Sequence, residues 1–504
     1  HDGQEKPAPD ATFDAARRSS SSWFSLIAAG TMGLSGCSSV LLAPSTDVSN
    51  VPVPVTWSSG TAVSSATSIS DWWRRFDDDE LTIAVTMALQ ANPDVRTAKA
   101  SLVQSRAQRD VVAAALYPSL FLSGSAKRAK FGQLSPTNTY VAGFDAAWEP
   151  DVFGGTSAGV AAADASVQAA VASLGDVQVS VAAEVASNYI DLRAQELRLA
   201  IARENLASQM ETLQIALWRT EAGLTTSLDV EQARTSAELT RAEIPQFETG
   251  IAQARNALAV LLGINPETLE VYLRPGSGIP KAPDDLAISF PADTLRQRPD
   301  VRQAEYQVRA ASAQVSQADA ARYPSFGIDG TLGLSALTWG ALTSGNSLVA
   351  SLLGSIAQPI FDGGARAAQV RVQMAQYEMA RVAYEKTVLM ALQEVEDALV
   401  ELRNTRERLQ TLERASEAAS NAALLARHRY ESGVIDFQPV LQTQATLLSV
   451  QDKAANAQGA LGLAHVHLYK ALGGGWLPGA PALEEGDGQQ APLVQTPPSG
   501  KPPT

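Results

Sequence analysis

Asn92-Pro-Asp-Val-Arg96 returns 206 residues later as Arg298-Pro-Asp-Val-Arg302, and Tyr117-Pro-Ser119 returns at the same offset as Tyr323-Pro-Ser325. The echo continues from Phe153-Gly-Gly155 to Phe361-Asp-Gly-Gly364, and from Glu221-Ala-Gly223 to Glu431-Ser-Gly433. Matched pairs in one order mean a tandem duplication of a unit of about 200 residues. The offset drifts only from 206 to 210, so few insertions separate the copies. The architecture must therefore use two equivalent halves.

Within each copy the hydrophobic period switches. From Tyr140 to Trp148 the even positions are Tyr140, Ala142, Phe144, Ala146 and Trp148, and the odd ones are small or charged. Phe326, Ile328, Leu332 and Leu334 alternate in the same way with Gly327, Asp329, Thr331 and Gly333. With the flanking runs Ser119 to Ala129 and Leu348 to Ala357, this gives two hairpins, 118–150 and 324–359. Strands of about ten residues with aromatic ends suit a membrane; alternation alone also allows a soluble hairpin packed on helices.

After each hairpin the chain loses proline, from Thr156 to Ala222 and from Ala365 to Ser432. A helix of 67 residues at 1.5 Å each is a rod of about 100 Å. Leu192, Leu199, Leu206 and Leu213, and again Val395, Leu402 and Leu409, are spaced by sevens, which predicts an apolar seam along each rod. Each rod stops at a glycine, Gly223 or Gly433, and returns as a helix over 227–262 or 437–472. The organisation expected is 1–36 signal and extension region, 37–70 extended tether, 71–283 and 284–475 the two copies, and 476–504 a disordered tail.

Composition narrows the classes. Aromatic residues make up only 6%, with Ala, Leu, Gln and Glu abundant, as in long helices packed through small side chains. A net charge of -14 argues against a nucleic-acid partner. The single cysteine, Cys37, excludes a disulfide framework and any multi-cysteine metal site. Arg17 and Arg18, an apolar run from Trp23 to Met32 and Leu34-Ser-Gly-Cys37 resemble a bacterial lipoprotein signal, which implies acylation of Cys37, palmitate included; the alternative is an ordinary signal with a chance cysteine. Ser38 after it is not the aspartate of an inner-membrane retention signal, which points to the outer membrane. The residues before Arg17 are read as an over-extended start or a tag.

Four membrane strands cannot close a barrel, since about eight are needed, and open edges cannot face lipid. Several chains must then pool their strands, and helices of such length need neighbours along them. Trp72-Trp73 with Phe76, Asn92-Pro-Asp-Val-Arg96, Tyr117-Pro118, Trp148-Glu-Pro-Asp-Val-Phe-Gly154, Ala182-Ala-Glu-Val-Ala186 with Tyr189 and Leu192-Arg193, Arg298-Pro-Asp-Val-Arg302 and Pro359-Ile-Phe-Asp-Gly363 resemble the outer-membrane efflux proteins (TolC/OprM-like), in the NodT-type lipoprotein subgroup. The resemblance covers about 71–475. It implies a mixed α and β membrane protein, a homotrimer whose twelve-stranded β-barrel continues into a long α-helical barrel. It also implies a passive exit duct for small toxic compounds, with a periplasmic adaptor and an inner-membrane efflux pump as partners. The alternatives kept are an exit duct for type I protein secretion and a non-transport envelope scaffold.

The resemblance places a closed aperture at the helix-turn-helix tips. Aperture candidates are Arg219, Glu221, Asp229, Arg429, Tyr430, Glu431, Asp436 and Gln442, the last where relatives often carry an acid; the bland alternative is solvated helix-end charge. Adaptor-docking candidates are Gly223, Leu224, Thr225, Gly433, Val434 and Ile435, whose glycines also cap helices. No catalytic residue, metal site or cofactor is expected. Gly155-Thr-Ser-Ala-Gly159 matches the pattern of a nucleophile elbow, but the chain does not alternate strands and helices as that fold requires. His465 and His467, two apart on a helix, cannot chelate together, and six scattered methionines form no thioether ladder.

Overall fold

The structure is a computed structural model that describes residues 69–274, 278–281 and 292–476. Cys37, the signal and extension region, the tether up to residue 68 and the tail from 477 lie outside the described residues. Helices are α1 (Asp79–Ala91), α2 (Pro93–Ala114), α3 (Gly155–Glu221), α4 (Ser227–Leu262), α5 (Pro299–Ala320), α6 (Ala365–Glu431) and α7 (Phe437–Ala471). Strands are β1 (Ser119–Ala129), β2 (Thr137–Trp148), β3 (Ser325–Ala336) and β4 (Leu348–Ala357). Two compact units result, one holding the strands and one the helices.

In the first unit the strands form one antiparallel sheet in the order β1-β2-β3-β4. Its central pair, β2 with β3, joins the two copies. The register puts Leu122, Phe144, Leu332 and Ala350 in one row and Phe121, Asp145, Thr331, Leu353 and Ser351 on the opposite face. One face is therefore apolar, and on it Leu122 is 76% and Leu352 82% exposed. The other face carries hydrogen bonds from Ser123 to Asp145 at 2.5 Å and between Thr331 and Ser351 at 2.6 Å. Gly143 and Gly333 sit opposite each other across the central pair, and a Cβ on Gly143 would lie 2.6 Å from the Gly333 Cα. Phe153 stacks on Tyr323, with ring centroids 4.9 Å apart, so the end of the first hairpin rests on the start of the second.

In the second unit each copy repeats one junction. Pro93 and Pro299 open α2 and α5, where a missing N–H costs nothing. Asn92 accepts from the N–H of Asp94 and Val95, capping α2, and donates to the Leu261 carbonyl at 2.9 Å. Arg298 holds the matching place and donates to the Ala471 carbonyl at 2.6 Å. Trp72, Trp73 and Phe76 plug the core beside Tyr469, which stacks on Trp72 at 4.9 Å. Arg193 is also in this core, bonded to Glu80, to Glu196 at 2.7 Å and to the Arg274 carbonyl at 2.8 Å, with its guanidinium 4.8 Å from the Tyr189 ring.

The predicted leucine seam needs correction. Leu192 and Leu213 are buried, but Leu199 and Leu206 are only half-buried, and the side chains buried between them include Asn205, Gln209 and Thr212. Spacing by sevens drifts around a straight helix of 3.6 residues per turn, so a seven-spaced row cannot stay on one packed face unless the helix supercoils. In the second rod Val395 and Leu402 are buried and Leu409 is half-buried.

Candidate functional site

The tips are the turns that join α3 to α4 and α6 to α7. Each is built alike from the sequence. Gly223 and Gly433 both take φ of +71°, the left-handed conformation that a side chain resists. The Leu224 N–H donates to the Arg219 carbonyl at 2.8 Å and the Val434 N–H to the Arg429 carbonyl at 2.9 Å, which closes the orphaned helix ends.

Beneath the turns lies a small apolar cluster, separate from the main core. Leu213 and Ala216 come from α3, Val230 and Ala233 from α4, Ala426 and Tyr430 from α6, and Phe437 and Val440 from α7. The tips of both copies thus share one cluster. Arg219 crosses it: Nη1 donates to the Tyr430 carbonyl at 2.7 Å, and the guanidinium lies 4.5 Å from the Tyr430 ring centroid. Tyr430 in turn packs on Phe437 at 5.2 Å. Burial pushes the Tyr430 hydroxyl up, while Thr225 and the Arg219 charge pull it down.

A second link between the copies lies one turn away. Arg427 bridges Glu211 on α3 at 2.8 Å and Glu431 on its own helix at 3.0 Å. Burial works against the charged Glu431, but bonds from Arg427 and His428 outweigh it and hold the carboxyl below its ordinary value. Gln438 donates to Gln232 at 2.9 Å, joining α7 to α4.

Of the residues singled out from sequence, Arg219 and Tyr430 meet each other, Asp229 accepts from Thr225, and Glu431 takes Arg427. Glu221, Arg429, Asp436 and Gln442 are exposed. The buried amide in this region is Gln444, which donates to Thr212 at 2.8 Å. Leu224 and Val434 are 67% and 70% exposed, while Thr225 and Ile435 are half-buried and Ile435 packs on the tip cluster. Sequence reasoning missed Glu211, Arg427 and Phe437. Arg427 and Glu431 at i and i+4 were a readable pair, but only the fold brings Glu211 to them. Among the described residues no group of His, Cys, Asp and Glu could hold a metal ion. Gly155 to Gly159, the elbow-like stretch, is the first turn of α3.

The sequence profile of the outer membrane efflux protein family matches residues 84–264 and again 290–474, once per copy. The chain belongs to the outer membrane efflux protein family. Among relatives, nodulation protein T of Rhizobium leguminosarum bv. viciae is 31% identical, over 87% of this chain and 91% of its own. The probable efflux pump outer membrane protein TtgC of Pseudomonas putida is 30% identical, over 92% of this chain and 97% of its own. The solved structure of the outer-membrane channel OprN superposes with a TM-score of 0.78 at 34% identity, covering 86% of this chain and all of that one. This efflux protein is thus an outer-membrane channel subunit and not an enzyme, and its four strands and long helices are that family's fold.

Proposed function

We propose that the chain works as a homotrimer, the outer-membrane exit duct of a tripartite efflux system. An inner-membrane pump and a periplasmic adaptor would deliver small toxic compounds to it; the Pseudomonas putida relative is named a probable efflux pump outer membrane protein. One observation carries the ring of chains, whose number is taken from the family: the chain makes a joint between its copies and leaves the equivalent joint half-made at each end. Inside the chain β2 pairs with β3 and Phe153 stacks on Tyr323. The matching groups, β4 with Phe361 and β1 with Tyr117, have no such partner among the described residues, and Phe361 is 91% exposed. A ring of chains completes every joint head to tail, removes the sheet edges and turns the apolar sheet face toward lipid. The acylated Cys37 would anchor the ring to the outer membrane from the periplasmic side.

The tips form the aperture in this reading, with Arg219 on Tyr430 and Arg427 on Glu211 as latches. Glu221, Asp229, Arg429, Glu431, Asp436 and Gln442 are secondary candidates around the rim. Gly223, Leu224, Thr225, Gly433, Val434 and Ile435 would meet the adaptor, Leu224 and Val434 being large apolar side chains exposed on the turns.

The test is native mass in detergent with conductance of the same sample. A trimer with conductance is expected, Tyr117→Cys with Phe361→Cys should give covalently linked trimers under oxidation, and Arg219→Ala should raise conductance several-fold. A monomer would end the shared-barrel reading. Loss of export of one polypeptide, with unchanged drug sensitivity, would favour protein secretion instead.

A further inference from the structure

We propose that the turn end of the sheet holds a phosphorylated glycolipid of the outer leaflet, with Arg128 and Lys130 on its phosphates and Tyr140 and Trp339 where its acyl chains begin. This rests on the exit-duct reading, which turns the apolar sheet face to lipid and the strand turns outward.

Depth sets the first condition. Tyr140 and Trp148 bound the apolar face of β2, eight positions apart. That is about 27 Å along the strand and about 21 Å once the strand tilts, close to the apolar band of about 25 Å on a membrane barrel. Trp339 meets Tyr140 edge-on, with ring centroids 5.7 Å apart, and is 73% exposed. Such side chains, apolar in body and polar at the tip, settle where hydrocarbon gives way to headgroups, so this pair marks the outer interface.

Register then places a charge. Tyr140 pairs with Ala126, and Arg128 pairs with Asn138, one step nearer the turn. Alternation keeps Leu122, Gly124, Ala126 and Arg128 on one face, so Arg128 lies about 7 Å beyond the aromatic level on the lipid side. That is headgroup depth.

Arg128 is exposed, as is Lys130 just past the strand end, and neither has a carboxylate partner among the described residues. Acids are missing from the whole turn end: none occurs over Ala126 to Phe144 or Gly330 to Phe361, in a chain whose net charge is -14. Asp145 and Asp329 lie toward the other end, on the opposite face. The anion that answers Arg128 must come from outside the chain, and phosphate is the one that the headgroup layer supplies and that fits a guanidinium fork. Phe131 and Leu134, 67% and 70% exposed on the same turn, add apolar surface suited to acyl chains. A lipid with more than one phosphate suits two cations two residues apart better than a lipid with one.

Native mass spectrometry of the full-length protein in detergent, titrated with a bis-phosphorylated glucosamine lipid (lipid A), tests this. Bound lipid is expected, with dephosphorylated lipid A and phosphatidylglycerol each at least about tenfold weaker. Arg128→Gln with Lys130→Gln should weaken binding about twentyfold, about fivefold for each charge. Lys127→Gln removes an equal charge from the neighbouring residue, which alternation puts on the polar face, and should change binding less than about twofold. A pair that binds like the parent would overturn the site, and so would an equal loss in Lys127→Gln, since charge and not the face would then decide. Phosphatidylglycerol binding as tightly as lipid A would overturn the glycolipid. A conducting trimer indifferent to Arg128 and Lys130 sinks this proposal and spares the exit duct; a monomer without conductance that still tells Arg128 from Lys127 does the reverse.

Discussion

At the junction of short and return helices, copy 1 puts the Asn92 amide on the Leu261 carbonyl, and copy 2 puts the Arg298 guanidinium on the Ala471 carbonyl. The same bond is made by different chemistry. Asn92 is short enough to cap its own helix as well. Arg298 cannot cap, since it has no acceptor, and it draws Asp300 and Glu394 to it, each at 2.7 Å. The buried arginines are likewise placed differently: copy 1 buries Arg193, whereas Arg403, 210 residues on, is exposed. Duplication kept the plan and let the copies diverge in where they place charge.

The long helices diverge too. Side chains of α3 are buried along most of its length, but those of α6 are buried only over 384–402 and 419–430. Val372, Met374, Met379 and Val382 on α6 are exposed. Copy 1 buries more of its long helix within the chain, and copy 2 leaves more of its apolar face exposed.

The largest test of this contrast is Arg193→Ala against Arg403→Ala. The first removes a buried core charge and strands its half-buried partners Glu80 and Glu196, and should cost about 3 kcal/mol. The second should stay within about 0.5 kcal/mol, as surface changes do. Thermal midpoints of the detergent-solubilised protein check both, and equal shifts would erase the asymmetry.

Next in size is exchanging the two junctions. Arg298→Asn imports the solution of copy 1, keeps a donor near Ala471 but abandons Asp300 and Glu394, and should cost about 1–2 kcal/mol. Asn92→Ala, which removes a cap, should cost about 1 kcal/mol. A neutral Arg298→Asn would mean that the charged cluster contributes nothing.

A smaller effect concerns acid. Burial, aided by Asp300, pushes the Asp176 carboxyl above its ordinary value, against the pull of Arg298 and Lys470. Ionised Asp176 therefore opposes folding at neutral pH, and the opposition fades as pH falls through the raised value toward about 4, where an ordinary aspartate titrates. Asp176→Asn should be more stable than the parent near neutrality, with the difference closing on acidification. A difference independent of pH would assign the effect to packing.

The smallest expected change has the opposite sign. Glu431, held low by Arg427 and His428, contributes stability above the ordinary carboxylate value and loses it as pH falls through its depressed one. Glu431→Gln should flatten that acid limb, measured as midpoint against pH. Because both groups are partly exposed, the loss should be under about 1 kcal/mol.

Much of this was legible before any coordinates. Alternation at Tyr140 to Trp148 shows a strand because side chains of a pleated chain alternate by face, and the absence of proline over 156–222 permits an unbroken helix. Gly223 and Gly433 announce the turns for the same local reason. The buried polar row on α3 was not legible. Asn205, Gln209 and Thr212 look like solvent-facing residues beside the leucines, and only the arrival of Gln444 and Gln451 from another part of the chain makes them interior. Arg219 could be chosen as a helix-end charge, but nothing local predicts its seat on Tyr430, 211 residues away.

By itself, then, the sequence determined the duplication, the strand faces and the helix lengths, because each depends on neighbours along the chain. Tertiary structure alone decided which polar groups are buried, which arginine enters the core and where the copies grip one another. Those depend on which distant side chains meet, and a hydrogen bond or an ion pair has no sequence period to reveal it.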